Sequence, residues 1–162
     1  MKKHKILNLI KQAFIIAENS KDEETKVAGI LVDPLTMSQV STGYNGFIRN
    51  CKYDNKLPKT RPAKYEFTLH CELNLIANAA RQGISTQGKV LIQTLSPCLP
   101  CARMLYQSGI TEVYFQDLYH IYSDNSLNNT HFPLIETTVY NLPDMKIILE
   151  KFENYYKMVI SN

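Results

Sequence analysis

Apolar residues open the chain at helical spacing. Ile6, Leu7, Ile10, Ala13, Phe14 and Ala17 fall on one face of an amphipathic helix over residues 4–19. Residues 20–25 are polar and charged and break that pattern. Residues 27–32 form a short apolar run, Asp33-Pro34 is a turn signal, and residues 40–44 alternate with a period of two, so the three together predict a hairpin. No period runs through residues 45–68, and so long a loop in a compact domain is functional or disordered. Leu73, Ile76, Ala77 and Ala80 then predict a helix over 69–82, stopped by Gly83. A strand over 89–94 follows. A helix opened by Pro97 runs to Ser108 and ends at Gly109, and a short apolar strand occupies 113–115. Residues 116–133 are polar and irregular, and 137–140 read as a last strand. Ile147, Ile148, Phe152, Tyr155 and Tyr156 predict a terminal helix over 147–159 with those side chains inward.

Strands alternating with helices predict an α/β layered domain. The strand at 89–94, the helix after it and the strand at 113–115 form a parallel crossover unit. The 162 residues suit one domain spanning 1–162, with no linker and no internal repeat. Apolar residues make up 44% and charged residues 20%, an ordinary globular balance. The formal net charge is only +3, and Lys2, Lys3 and Lys5 are the nearest approach to a basic block, so no polynucleotide partner is expected. A small anionic substrate remains compatible. No run reaches membrane-spanning length, and Asn8, Lys11 and Gln12 interrupt the opening segment, so neither a membrane span nor a signal peptide is expected. The cysteines are Cys51, Cys71, Cys98 and Cys101. A Cys-x-x-Cys pair reads as metal or redox chemistry rather than a disulfide scaffold, which points to a cytoplasmic protein.

The chemistry concentrates in two short segments. His70-Cys71-Glu72 starts one predicted helix, and Pro97-Cys98-Leu99-Pro100-Cys101 starts the next. Cysteines three apart on a first helical turn share a face, and the positive helix end favours their thiolates. With His70 they make three ligands for one zinc and leave a fourth position for water, the mark of a catalytic site. Cys71 projects about 100° away around the helix and does not join them. A zinc ion there makes water acidic near neutrality. Glu72 is the group to take that proton and pass it to a ring nitrogen and then to a leaving amine. The order His-x-Glu then Pro-Cys-x-x-Cys is the signature of zinc nucleobase deaminases. Taken alone, the cysteine pair also fits a redox pair or half of a structural zinc site. His120 or His131 as a fourth ligand would make the site structural.

With these residues in view, the chain resembles the cytidine deaminase-like superfamily, and within it the deoxycytidylate (dCMP) deaminases, from about Leu9 to about Tyr119. The resemblance rests on Ser20-Lys21-Asp22 with Thr25-Lys26-Val27-Ala28-Gly29, on Gly43-Tyr44-Asn45-Gly46, on His70-Cys71-Glu72-Leu73-Asn74, and on Thr94-Leu95-Ser96-Pro97-Cys98-Leu99-Pro100-Cys101. It implies a three-layer α/β/α fold around a mixed sheet of about five strands. It also implies hydrolysis of dCMP to dUMP and ammonia, feeding thymidylate synthesis. Asn45 would bond the substrate, groups around Ser96 and Cys98 would read the pyrimidine edge, and Lys21 or Lys26 with Tyr119 would meet the 5′-phosphate. Tyr44, Gly46 and Arg81 would border a regulatory site for dCTP or dTTP, with Mg2+ carried by the nucleotide. A homo-oligomer, commonly a hexamer, is implied as well. Plainer alternatives stand beside these roles: a turn asparagine, solvated lysines, a packed tyrosine, a helix C-terminal cation.

The departures from the family pattern are specific. Cys71 stands where alanine is usual, and packing accounts for it. Leu75 replaces a smaller residue, and Ile48 stands where proline is common. Glu23 and Glu24 put negative charge into the segment expected to meet phosphate. Cys51 is the one spare cysteine in a shortened 50–67 stretch, so one zinc per chain is expected. Other cytosine nucleotides or nucleosides, such as dCTP, modified dCMP and cytidine, are rival substrates, and a non-catalytic zinc-stabilised binding module is the rival of another class.

Overall fold

Strand β1 (Ala28–Val32) is buried along its whole length, as an apolar run without alternation requires of a strand covered on both faces. The computed structural model describes residues 1–119 and 137–162. Along the chain come α1 (Lys3–Ala17), β1, β2 (Gln39–Tyr44), a 3-10 turn (Ala63–Glu66), α2 (Cys71–Arg81), β3 (Val90–Leu95), α3 (Leu99–Gln107), β4 (Glu112–Asp117), β5 (Thr137–Asn141), β6 (Lys146–Lys151) and β7 (Tyr156–Ser161). The strands make one sheet in the order β2-β1-β3-β4-β7-β6-β5. Strands β3 and β4 pair in parallel and the other neighbours pair antiparallel, so the sheet is mixed.

Alternate strand residues serve opposite layers. Ile30, Val32, Ile92 and Tyr114 face α1, whose Ile6, Leu9, Ile10 and Ala13 close one core. Leu31, Leu91, Val113 and Phe115 face the other way, onto Leu75 of α2 and Ala102 and Leu105 of α3. The α/β/α layering expected from the sequence is therefore present.

Two expectations are corrected. The sheet has seven strands rather than about five, and residues 147–159 are not a helix but most of the β6–β7 hairpin. Ile147 and Leu149 are buried on β6, and Met158 and Ile160 on β7, a period of two that joins the α2/α3-side core. The Phe152 N–H donates to the Tyr155 carbonyl at 2.8 Å and closes the hairpin turn. Strand β7 then pairs with β4 and extends the sheet beyond the crossover unit.

Helix α2 lies directly on edge strand β2. A Cβ on Gly43 would come within 2.6 Å of the Leu75 backbone nitrogen, so glycine alone permits this approach. Asn74 Nδ2 and Asn78 Nδ2 donate to the carbonyls of Tyr44 and Thr42 at 2.8 and 2.9 Å. The parallel β3–β4 pair ends both strands on one side, and the Ser96 N–H donates to the Asp117 carbonyl there at 2.8 Å. Open α/β sheets place ligands at such strand ends.

Candidate active site

His70 and Cys98 occupy equivalent places. Each is the N-cap of its helix, with extended backbone and with its carbonyl accepting the first helical hydrogen bond, from Asn74 and Ala102 respectively. Neither side chain caps its own helix, so both project forward from two positive helix ends. Cys101 lies one turn into α3, behind Pro100, whose missing N–H costs nothing at that position.

Among the described residues His70, Cys98 and Cys101 form a cluster whose ligand atoms all lie within 4.8 Å of one another. His70 Nδ1 is 3.5 Å from Cys98 Sγ and 3.4 Å from Cys101 Sγ. A tetrahedral zinc with ordinary bond lengths places a nitrogen and a sulfur ligand about 3.5 Å apart. The donor set and its spacing therefore fit one zinc ion. The Cys101 thiol donates toward Cys98 and, with His70, lowers the Cys98 thiol to about 4, while that same bond and burial push Cys101 well up. Interaction with Cys98 raises His70, against burial.

Glu72 lies beside this cluster and is 4% exposed. Burial raises its carboxyl above the usual range. The Cys71 thiol approaches Glu72 Oε2 at 3.4 Å, and Gln93 Nε2 approaches Oε1 at 3.4 Å. Gln93 also donates to the Leu95 carbonyl, which ties it to the end of β3. Cys71 thus does more than fill space, and Gln93 is a support that no sequence pattern singled out.

His70, Cys71, Glu72 and Cys98 line a cleft. Asn45, Ser96 and Tyr119 line it too. Asn45 is already engaged: Oδ1 accepts the Val27 N–H at 2.8 Å, and Nδ2 faces the Thr25 carbonyl at 2.8 Å and Asp22 Oδ2 at 3.3 Å. It braces the loop before β1 and keeps spare acceptor capacity on Oδ1. The Tyr119 N–H donates to Ser96 Oγ at 2.6 Å, which fixes that tyrosine at the rim.

The structure does not bring Lys21 or Lys26 into this cleft. Lys21 pairs with Asp54, and Lys26 with Glu18 at 3.4 Å. The cleft instead takes Arg61 and Lys64 from the long loop. Lys64 is 3% exposed, and its ammonium sits 2.8 Å from both Asp22 oxygens and 3.0 Å from Glu24. Burial opposes the charge on Asp22, but bonds from Lys64 and from the Thr25 and Glu24 N–H groups outweigh it and hold the carboxyl below its usual range. Charges 42 positions apart in irregular segments leave no periodic signal, so the pair was invisible in the sequence. Lys21 lies with Tyr44, Gly46, Arg49 and Arg81 along a second groove. His120 and His131 lie outside the described residues.

Residues 3–117 match the family described as the cytidine and deoxycytidylate deaminase zinc-binding region. Deoxycytidylate deaminase of Mus musculus is 34% identical over 133 residues, covering 78% of this chain and 72% of that protein. Its counterpart from Pongo abelii is 36% identical over 115 residues, covering 67% of this chain but 62% of that protein, so this chain spans less than two thirds of that relative's length. Among solved structures, dCMP deaminase from the cyanophage S-TIM5, in complex with dCMP and dUMP, superposes with a TM-score of 0.60 at 30% identity, covering 75% of this chain and 87% of that one. No helix among the described residues is long and apolar enough to cross a membrane. The matched residues carry both helix starts of the ligand cluster, and by that match the chain belongs to the cytidine and deoxycytidylate deaminase family.

Proposed function

We propose that the chain, as a single domain over 1–162, is a zinc-dependent deaminase that converts dCMP to dUMP and ammonia and so supplies a precursor of thymidylate. The observation that carries this reading is a buried Glu72 beside three tetrahedrally spaced ligands in one cleft. His70, Cys98 and Cys101 would hold one zinc. Bound there, zinc supplies the Lewis acidity that makes a water molecule acidic near neutral pH. Glu72 accepts the proton from water as oxygen adds to C4 of cytosine. Glu72 then delivers that proton to the adjacent ring nitrogen, takes the second proton from the new C4 hydroxyl and passes it to the amine, so the C4 carbonyl forms, the C4–N bond breaks and ammonia leaves. A carboxyl raised by burial suits this exchange, because it holds a proton more readily than an ordinary carboxyl does. Gln93 and Cys71 keep the carboxylate aimed, and Ser96 and Asn45 offer groups to the pyrimidine and the sugar.

The relatives named for deoxycytidylate, and the S-TIM5 enzyme in complex with dCMP and dUMP, support this substrate. The groove that holds Tyr44, Gly46, Lys21, Arg49 and Arg81 offers cations to a regulatory deoxynucleoside triphosphate, with its Mg2+. A cytoplasmic homo-oligomer, a hexamer by family resemblance, completes the reading. The test is steady-state ammonia release by the zinc-loaded chain from dCMP, deoxycytidine and dCTP. The reading expects dCMP to give the highest kcat/KM, and a chelator-stripped chain to be inactive until zinc is returned. A preference for deoxycytidine would remove the monophosphate.

A further inference from the structure

Besides His70, Glu72 and Cys98, the cleft carries charges that the reaction does not use. Arg61 and Lys64 line it together with Asp22. Lys64 is committed, since Asp22 and Glu24 surround its ammonium in a buried site. Arg61 is different. Its side chain is 45% exposed, and its planar fork is oriented by two neutral acceptors, with Nε donating to the Tyr65 hydroxyl and Nη2 to Thr25 Oγ1, both at 2.8 Å. Its Nη1 faces Glu24 Oε1 at 3.5 Å. Glu24 Oε2 has partners of its own, the Lys64 ammonium at 3.0 Å and the Arg61 backbone N–H at 3.0 Å. Glu24 therefore stays anchored if the guanidinium exchanges its Oε1 for another anion.

We propose that Arg61 is the residue that reads the 5′-phosphate of the substrate, and that Glu24 Oε1 occupies the guanidinium until the phosphate replaces it. The proposal rests on the reading of this cleft as a dCMP-deaminating site. With the base at Glu72 and the ligand cluster on the buried side, the 5′ end of the nucleotide points toward the exposed side, where Arg61 stands. A guanidinium fork matches phosphate oxygens in pairs, whereas a buried ammonium already shared by two carboxylates does not. The arrangement also gives Glu24, an unexpected acid in this segment, a role: it pre-orients the arginine and sets a threshold that only a strong anion passes. The two carboxylates and the two cations cancel locally, so selection comes from exchange at one guanidinium rather than from a positive field.

The test compares kcat/KM for dCMP and deoxycytidine on the same preparations of zinc-loaded wild type, Arg61→Ala and Glu24→Gln. Because the ratio of two substrates is independent of the folded fraction, a partly unfolded variant does not blur it. Losing a charge-assisted contact is expected to lower the dCMP-to-deoxycytidine ratio in Arg61→Ala by about tenfold to a hundredfold. Glu24→Gln, which removes the competing charge, is expected to raise it. Calorimetric binding of dUMP, which keeps the phosphate and lacks the leaving amine, is measured beside turnover. A dUMP affinity that drops in Arg61→Ala supports the assignment even if the wild type fails to turn over dCMP, an outcome that would sink the deamination reading alone. A ratio and a dUMP affinity both unmoved in Arg61→Ala would overturn the assignment and leave deamination standing. A ratio that falls in Glu24→Gln would overturn the exchange.

Discussion

Asp22 shows how one side chain serves both loop and cleft. Its Oδ1 accepts the N–H groups of Glu24 and Thr25 at 2.9 Å, an Asx-type turn, while both oxygens receive the buried Lys64. Its carboxyl is depressed in the fold, so the stability it contributes is present above its unfolded value of about 3.9 and is lost as pH falls through the lower folded value. Urea denaturation of wild type and Asp22→Asn across a pH series should therefore show a wild-type advantage at neutral pH that shrinks below about pH 4. An advantage that persists in acid would mean the contribution is not ionic. Each half of the ligand cluster was legible in the sequence because it is local, a spacing of two or three residues at a helix start, and the deaminase signature they match implied that the halves meet. The Asp22–Lys64 pair and the placing of Arg61 were not, because loop-to-loop contacts obey no period. The family resemblance offered Lys21 and Lys26 as phosphate contacts, yet the carboxylates of Asp54 and Glu18 pair with them.

At the scale of elements, the site depends on how α2 seats on β2. Gly43 is the tightest point, with Leu75 N, Cys71 O and Leu75 Cα all under 3.0 Å from a built Cβ. These are backbone atoms, so a methyl group cannot be met by turning a side chain. Gly43→Ala is expected to destabilise the fold by about 1–3 kcal/mol in urea denaturation, as overpacking does. It should also weaken zinc binding, because Cys71 sits at the start of the helix that follows His70. An unchanged midpoint would show that α2 rides more loosely than the contacts imply. The early elements could be read because each has a clean period: α1 by its apolar face, β1 and β3 by continuous apolar runs. The C-terminal hairpin could not, because Ile147, Ile148, Phe152, Tyr155 and Tyr156 satisfy a helical stripe as well as two strands. What decides is tertiary: β7 completes the hydrogen bonding of β4, and the alternate residues of both strands reach the α2/α3-side core.

At the scale of the whole molecule, the parallel β3–β4 pair and the two helices on one face converge on a single cleft. On the proposed function, its buried side would do the chemistry and its exposed side would choose the substrate. Family membership and the layered fold were both visible in ordered sequence blocks. The width of the sheet was not, since the added strands lie beyond the residues those blocks cover. On the proposed function, Glu72 moves protons for a zinc site it does not itself build. Glu72→Gln keeps the shape of the side chain and removes the proton acceptor. The measurement is zinc per chain together with the rate of ammonia release from dCMP, wild type against Glu72→Gln. One zinc in both proteins and a rate lower by at least about 100-fold in the variant are expected. A variant that keeps its zinc and its rate, or that loses its zinc along with its rate, would contradict that role for Glu72.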